Sequence, residues 1–286
     1  RIQLMYTADA AAYAKYKNQD YINQDVTANV NLKLPWGYWD IQDGFRDTVD
    51  RADTEFTSHV RRQENQAQTT LGVQINKLTY ELGYAHFFVR YLDEAYKDLR
   101  YGQRVFNGTV FYQLFTKTKA LLEYVHGIIE YPGDGLRNAA FNQVMAGLKG
   151  EITGKTTGVI KAGYQNRDYR TAGESGYESF IAQAGLDTRF SAKTAVGLNY
   201  SHNALESVSA GNSYYDMNAV TVTLTQQLQG HFSTQFSTGF QRNVYSGVDP
   251  DTDKKRRDSI FTESMNLRYE IKERASINSG YQYKKS

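Results

Sequence analysis

The chain has 286 residues, and its 33 Lys and Arg against 31 Asp and Glu leave a net charge of +2, too little for a strong electrostatic draw toward nucleic acid. It has no Cys, which excludes disulfides, thiolate nucleophiles, iron–sulfur ligation and covalent c-type haem attachment within the chain. Tyr (23), Phe (14) and Gly (23) are abundant while Pro (3) is rare, a mixture suited to many strands with aromatic anchors.

Mean hydropathy is -0.62. No run approaches the roughly 18 apolar residues of a transmembrane helix. The opening Arg1-Ile2-Gln3-Leu4 lacks the apolar stretch of a signal peptide, so the sequence reads as a mature or trimmed product.

A first short strand is predicted over 2–6, ending at a break near Ala8. Val26, Ala28, Val30, Leu32 and Leu34 then alternate with Asp25, Thr27, Asn29, Asn31 and Lys33, up to a break at Gly37. In "QTTLGVQINKLTYELGYA" (68–85), Leu71, Val73 and Ile75 alternate with Gly72 and Gln74. Past Asn76-Lys77, Leu78, Tyr80, Leu82 and Tyr84 alternate with Thr79, Glu81 and Gly83. A period of two is the mark of a strand, and two such arms around a polar break form a hairpin.

The pattern continues with Val144, Ala146, Leu148 and Ile152 against Gln143, Gly147, Lys149 and Glu151, then with Ile160, Ala162 and Tyr164 against Lys161, Gly163, Gln165 and Arg167. Ala182, Ala184, Leu186 and Phe190 oppose Gln183, Gly185, Asp187 and Arg189; Met265, Leu267, Tyr269 and Ile271 oppose Asn266, Arg268 and Glu270. Further breaks fall near Lys117, Gly154, Ala192, Gly230 and Glu273, one hairpin per roughly 40 residues. Between them lie longer charged or Gly-rich stretches at 47–65, 92–102, 132–138, 168–176, 204–214 and 246–258. Short turns at one end and long loops at the other are the habit of an outer-membrane barrel.

Aromatic residues favour the same architecture over a soluble sandwich. Trp36, Tyr38, Trp39, Phe115, Phe190 and Phe232 cluster by the tight breaks. Tyr84, Tyr91, Tyr101, Tyr131, Tyr164, Tyr169, Tyr177, Tyr214, Tyr215 and Tyr245 lie toward the loops. Such rings suit the membrane–water interface, where an apolar body and a polar tip are both satisfied. The expectation is an all-β, transmembrane antiparallel up-and-down β-barrel in a bacterial outer membrane, one domain over 1–286, with about sixteen strands from eight tight turns. That count puts both ends of the chain on the long-loop side. An unclosed edge in lipid would leave backbone groups unpaired, so one strand is expected to be missing at each end and the intact barrel to have eighteen.

Segments such as "YELGYAHFFVRYLDEAYKDLRY" and "GVIKAGYQNRDYR", the "GY…RDY" and "LNYSHN" strand ends, and turns of the type "TKTK" and "SAKT" resemble outer-membrane β-barrel porins often associated with exopolysaccharide or exosortase systems. The resemblance covers most of the chain and is generic to barrels. It implies an outer-membrane barrel linked to surface polysaccharide, with no catalytic motif to transfer.

Glu81, Glu123, Lys149, Glu151, Lys161, Arg167, Asp187, Arg189, Arg268 and Glu270 are expected to face the lumen. Their mixed signs suit a weakly selective channel or pairs formed across strands, since an ion-selective pore would show a ring of one sign. Asp249, Asp251 and Asp253 have the alternate spacing of a calcium loop, but Lys254 stands where such a loop needs Gly and Ile260 where it needs Glu. With Lys254, Lys255, Arg256 and Arg257 this stretch reads as a solvated external loop, whose basic run suits acidic polysaccharide or lipopolysaccharide phosphate.

His59, His86, His126, His202 and His231 show no metal-ligand spacing, and no local motif indicates catalysis, so neither a cofactor nor an enzyme is expected. "FRDTVDRADTEFTSHVRRQENQ" (45–66) is either a pair of strand extensions or an inward constriction. The expected function is a passive outer-membrane conduit, for exopolysaccharide export or hydrophilic solutes. The alternative is a structural barrel that anchors or sheathes a surface appendage or an electron-transfer conduit. Expected partners are outer-membrane lipid and lipopolysaccharide, then polysaccharide or a periplasmic export component, and no nucleic acid.

Overall fold

A computed structural model describes residues 1–12, 20–49, 60–133, 138–170, 176–207, 212, 214–249, 253–272 and 275–285. Fifteen strands follow one another in chain order through one antiparallel sheet. They are β1 (Ile2–Ala11), β2 (Tyr21–Leu34), β3 (Gly37–Thr48), β4 (Arg62–Ile75), β5 (Leu78–Tyr91), β6 (Tyr101–Phe115), β7 (Thr118–Glu130), β8 (Ala139–Thr153), β9 (Thr156–Tyr169), β10 (Tyr177–Arg189), β11 (Thr194–Glu206), β12 (Tyr214–Gln227), β13 (Phe232–Asp249), β14 (Lys254–Lys272) and β15 (Ala275–Lys285). Lengths run from 10 residues in β1 to 19 in β14, against about 5 or 6 for ordinary soluble strands. A tilted crossing of the hydrocarbon layer needs about 9 to 11.

Turn chemistry explains two of the expected breaks. Asn76 takes φ 53° between β4 and β5, a left-handed conformation that asparagine tolerates. Gly230 does the same with φ 67° between β12 and β13. The tight turns fall at 35–36, 76–77, 116–117, 154–155, 190–193 and 228–231, while the break expected at Glu273 lies outside the described residues.

The break expected near Ala8 does not exist. β1 runs through it, with Ala8 paired to Gln24 and Ala11 to Tyr21. The alanine-rich "TADAA" offers no Gly, Pro or Asn to turn the chain, and each of its residues finds a partner on β2. Among the described residues there are therefore fifteen strands instead of sixteen. Arg1 also lies at the tight-turn end instead of the long-loop end, its terminal ammonium donating to the Asn31 carbonyl at 2.7 Å.

The chain divides into two compact units. The first comprises Arg1–Tyr112, Leu122–Val144 and Gln165–Glu178. It holds two buried apolar clusters: Val60, Val89 and Tyr91 with Phe87, Tyr96, Leu99 and Tyr101 against them, and Val125, Ile129, Tyr131 and Phe141 with Tyr101 and Val105. A 3₁₀ helix, Glu94–Leu99, carries Tyr96 and Leu99 onto the first cluster and is capped by Asp93, whose side chain accepts from the Ala95 N–H. The second unit comprises Gln113–Leu121, Met145–Tyr164 and Ser179–Ser286, and buries Met145, Ile181, Tyr215, Tyr245 and Ile260.

Both units share an inverted surface. The apolar side of each strand is the exposed one: Leu82 is 65 % exposed and Ile160 55 %, and Val26, Leu122, Leu148, Val222 and Met265 are exposed with them. A soluble domain of this size hides such a face, because contiguous apolar surface in water costs about 25 cal/mol per Å². Here it is the face that a lipid phase would cover.

Candidate functional site

The opposite face carries the polar chemistry. In the first unit, side chains at alternate positions of β2–β5 form a hydrogen-bonded ladder. Asn31 donates to Asp40, and the Tyr38 hydroxyl donates to Glu81. Arg46 Nε reaches Asp25 Oδ1 at 2.6 Å, Gln68 donates to Gln42 at 2.5 Å, and Arg62 Nε meets Glu64 at 2.5 Å. On β8–β10, Gln143 donates to the fully buried Gln165, which donates in turn to the Tyr177 hydroxyl at 2.9 Å.

In the second unit the same face changes character. Register aligns Asn199, Thr221, Gly239 and Thr262 in one row and Gly197, Thr223, Ser237 and Ser264 in the next. Thr223 and Ser237 hydroxyls lie 2.8 Å apart. This stretch is neutral and rich in hydroxyls and amides, the groups that hydrogen-bond polyols without demanding a charge.

Every residue expected to face the lumen falls on this polar side by strand parity. Glu81 lies opposite Gly72 on β4 and Thr109 on β6. Lys149, Glu151 and Asp187 border one open groove with Lys117 and Asn199, and Lys117 pairs with Glu151 at 2.6 Å. Arg268 pairs with Glu270 at 3.3 Å, both half-exposed. Glu123 and Lys161 occupy the polar parity of β7 and β9, and Arg189 closes β10 with its N–H on the Lys155 carbonyl at 2.8 Å. Arg167 is buried, with its guanidinium 5.2 Å from the Phe141 ring centroid and 5.7 Å from that of Tyr177. Within the set, Glu151 and the Arg268–Glu270 couple form ion pairs, and the ten residues are distributed over β5, β7, β8, β9, β10 and β14.

Of the tight-turn aromatics, Trp36, Trp39, Phe115, Phe190 and Phe232 expose their rings, and Trp39 Nε1 donates to Thr69 at 2.7 Å. Tyr38 instead turns to the polar face and lies flat over Gly72, where a Cβ would strike its ring. Four of the ten loop-end tyrosines also depart from an interface band. Tyr91, Tyr131, Tyr215 and Tyr245 are buried on the polar-face side, while Tyr164 stays exposed on the apolar face. Nor is the basic run a loop: Lys254, Lys255, Arg256 and Arg257 open β14, where backbone pairing to β13 splits them between the two faces. Asp251 and the side chain of Asp249 lie outside the described residues, as do His59 and 50–59 of the long charged segment.

Sequence parity had the information to add Asp25, Asp40, Arg46, Glu64 and Arg62 to the charged face. The buried apolar ends of β5 and β7 were harder to see, because "ALLEYVHGIIEY" is apolar on both parities.

A long meander with an exposed apolar side, tight turns at one end and a polar side of paired charges is the anatomy of a membrane barrel. Residues 128–286, more than half of the chain, match the family described as "Putative beta-barrel porin 2". The chain belongs to this β-barrel porin family. It is therefore an outer-membrane transmembrane β-barrel of the Gram-negative type.

Comparison with curated proteins gives no match. Among solved structures the porin chain is similar to the FrpB iron transporter from Neisseria meningitidis (F3-3 variant), with TM-score 0.54 and 10% identity, over 99% of this chain and 57% of that one. It is also similar to the siderophore receptor PirA from Pseudomonas aeruginosa, with TM-score 0.50 and 10% identity, over 99% of this chain and 61% of that one. The chain thus spans less than two thirds of the length of these transporters. Likeness at such identity shows the barrel fold alone.

Proposed function

We propose that this barrel is a passive conduit for hydrophilic solutes, and that it serves the export of an exopolysaccharide. The observation that carries the proposal is the inward face itself. Several of its charges are paired with opposite ones, Arg46 with Asp25, Arg62 with Glu64 and Lys117 with Glu151, and between the Arg256–Asp258 and Arg268–Glu270 pairs of β14 the inward face of β11–β14 carries rows of Thr, Ser, Asn and Gln. A ring of one sign would select ions. Paired charges and neutral hydroxyls suit an uncharged or weakly charged polyhydroxylated chain, which exchanges hydrogen bonds with water and wall at little net cost. No catalysis is assigned to the chain, and its partners on this proposal are the polysaccharide and a periplasmic export component.

A second reading, that the barrel sheathes a partner, draws on the apolar inward clusters at the long-loop end of the first unit, where Ile129 is 1 % exposed and Phe141 5 %. Such dry patches suit packing better than solute passage. Single-channel conductance in a planar bilayer, with and without acidic oligosaccharide, separates the two. An ohmic conductance that the sugar blocks supports the conduit. A silent barrel refutes it and favours the sheath.

A further inference from the structure

The outward face of β11–β14 is not uniformly apolar. Register aligns Tyr200, Val220, Phe240 and Phe261 in a row at the upper edge of the exposed apolar band. One step toward the long-loop end the row reads His202, Asn218, Arg242 and Ser259; the next reads Ala204, Asp216, Val244 and Arg257. Lys255 follows two residues beyond Arg257, opposite Val248. Three cations thus stand on the outer surface directly above the band that lipid covers.

Alternation along β14 explains how the basic run is shared out. Arg256 points inward, held by Asp258 at 3.0 and 2.7 Å and stacked 4.6 Å over the Tyr245 ring. Lys255 and Arg257 take the other parity and point out. Arg242 is exposed, and among the described residues neither it nor Arg257 has an ion-pair partner. The carboxylates of the same outward face are Asp216, which interacts electrostatically with His202 and Lys255, Glu206 at the end of β11, and Glu263 two residues below Phe261. None of them neutralises Arg242 or Arg257 directly.

Asn218 completes a polar cradle. Its Oδ1 is met by the Tyr200 hydroxyl at 3.3 Å and by His202 Nδ1 at 2.9 Å. An amide oxygen only accepts, so in this contact the imidazole Nδ1 is the donor. Phe180 stacks on the same imidazole with ring centroids 6.2 Å apart.

We propose that this outward surface, with Arg242 and Arg257 as its principal cations, binds the phosphate groups of a lipid in the leaflet at the long-loop end. Acyl chains would lie along Val220, Phe240 and Phe261, which places a headgroup phosphate level with the guanidiniums. Planar forks on a phosphate are the favoured geometry for arginine. The complementarity is specific to this end: the outward residues below Phe240 are Thr238 and Phe236 and those below Val220 are Val222 and Leu224, with no cation until the turn.

Native mass spectrometry of the purified full chain in micelles tests the site with three probes: diphosphoryl lipid A, the same lipid dephosphorylated, and inorganic phosphate. Wild type is expected to retain the diphosphoryl lipid and to release the other two. R242Q/R257Q is expected to weaken retention roughly thirty-fold, the product of two basic residues near an anionic surface, while R242K/R257K stays within a few-fold. K193Q, at the opposite tight-turn end, is expected to match wild type. Equal retention of both lipids, or unchanged retention in R242Q/R257Q, would overturn the proposal. So would inorganic phosphate displacing the lipid at equal concentration. Should the glutamine pair fail to fold, R242K/R257K binding the dephosphorylated lipid as tightly would refute it alone.

Discussion

Gly127 sits beneath the Phe141 ring, and replacing it with alanine tests how the inward apolar cluster of β7 and β8 is built. A Cβ at Gly127 would lie 2.8 Å from Phe141 Cε2 and closer still to Cε1 and Cζ, where ordinary contact begins at 3.4 Å. The ring must retreat, but Val125, Ile129 and Tyr131 pack in the same cluster and the Arg167 guanidinium lies 5.2 Å from its centroid. Overpacking of this kind costs about 1–3 kcal/mol. Loss of glycine's unfolded-state freedom returns about 0.4–1 kcal/mol, so Gly127→Ala should destabilise the barrel by roughly 1–2 kcal/mol. Phe141→Ala alone should cost about 3–5 kcal/mol. In that background the clash has no partner, and adding Gly127→Ala should be neutral or mildly stabilising. The assay is urea unfolding in lipid vesicles across the full double-mutant cycle. Additive costs, or a harmless Gly127→Ala in the wild-type background, would show that the ring does not rest on this glycine.

Three further perturbations follow from the same structure. Leu82→Lys, on the exposed apolar face, should cost about 2–4 kcal/mol in vesicles, as a cation near the bilayer midplane does, whereas Glu81→Gln beside it should cost less than half as much; equal costs would deny that the two residues face different solvents. Asp258→Ala removes the partner of both Arg256 and the Tyr245 hydroxyl, which donates at 3.1 Å. It should destabilise the barrel by about 1–2 kcal/mol and speed amide exchange in β13 and β14 first. Lys149→Gln with Lys161→Gln takes two positive charges from the inward face, so the reversal potential in a salt gradient should shift toward cation selectivity, and an unmoved potential would place both lysines away from the ion path.

Faces were legible in the sequence because a strand has a period of two, and a single parity assignment orients every side chain on it. That is why Glu81, Lys149, Arg167 and Arg268 could be assigned to the polar side before any coordinates. Turns were legible where they carry turn residues, as at Asn76 and Gly230. At Ala8 no such residue exists, and only pairing with β2 decides that the strand continues. Charge misled at 254–257, since four successive cations look like a solvated loop until alternate side chains are given opposite surroundings. Tyrosines at the loop end were ambiguous for a physical reason: the ring that suits a headgroup boundary also suits a small buried cluster closed by a hydrogen bond. Tyr215 and Tyr245, whose ring centroids lie 5.2 Å apart, took the second option.

The central claim is that the apolar parity meets lipid and the polar parity meets water. Because the chain has no Cys, single cysteines can be placed at 81, 149, 161 and 268 and, on the opposite parity of the same strands, at 82, 148, 160 and 265, in the protein folded into vesicles. A charged, membrane-impermeant thiol reagent is expected to modify the first set and to leave the second unmodified until detergent is added. Equal modification of both sets, or the reverse order, would contradict the account.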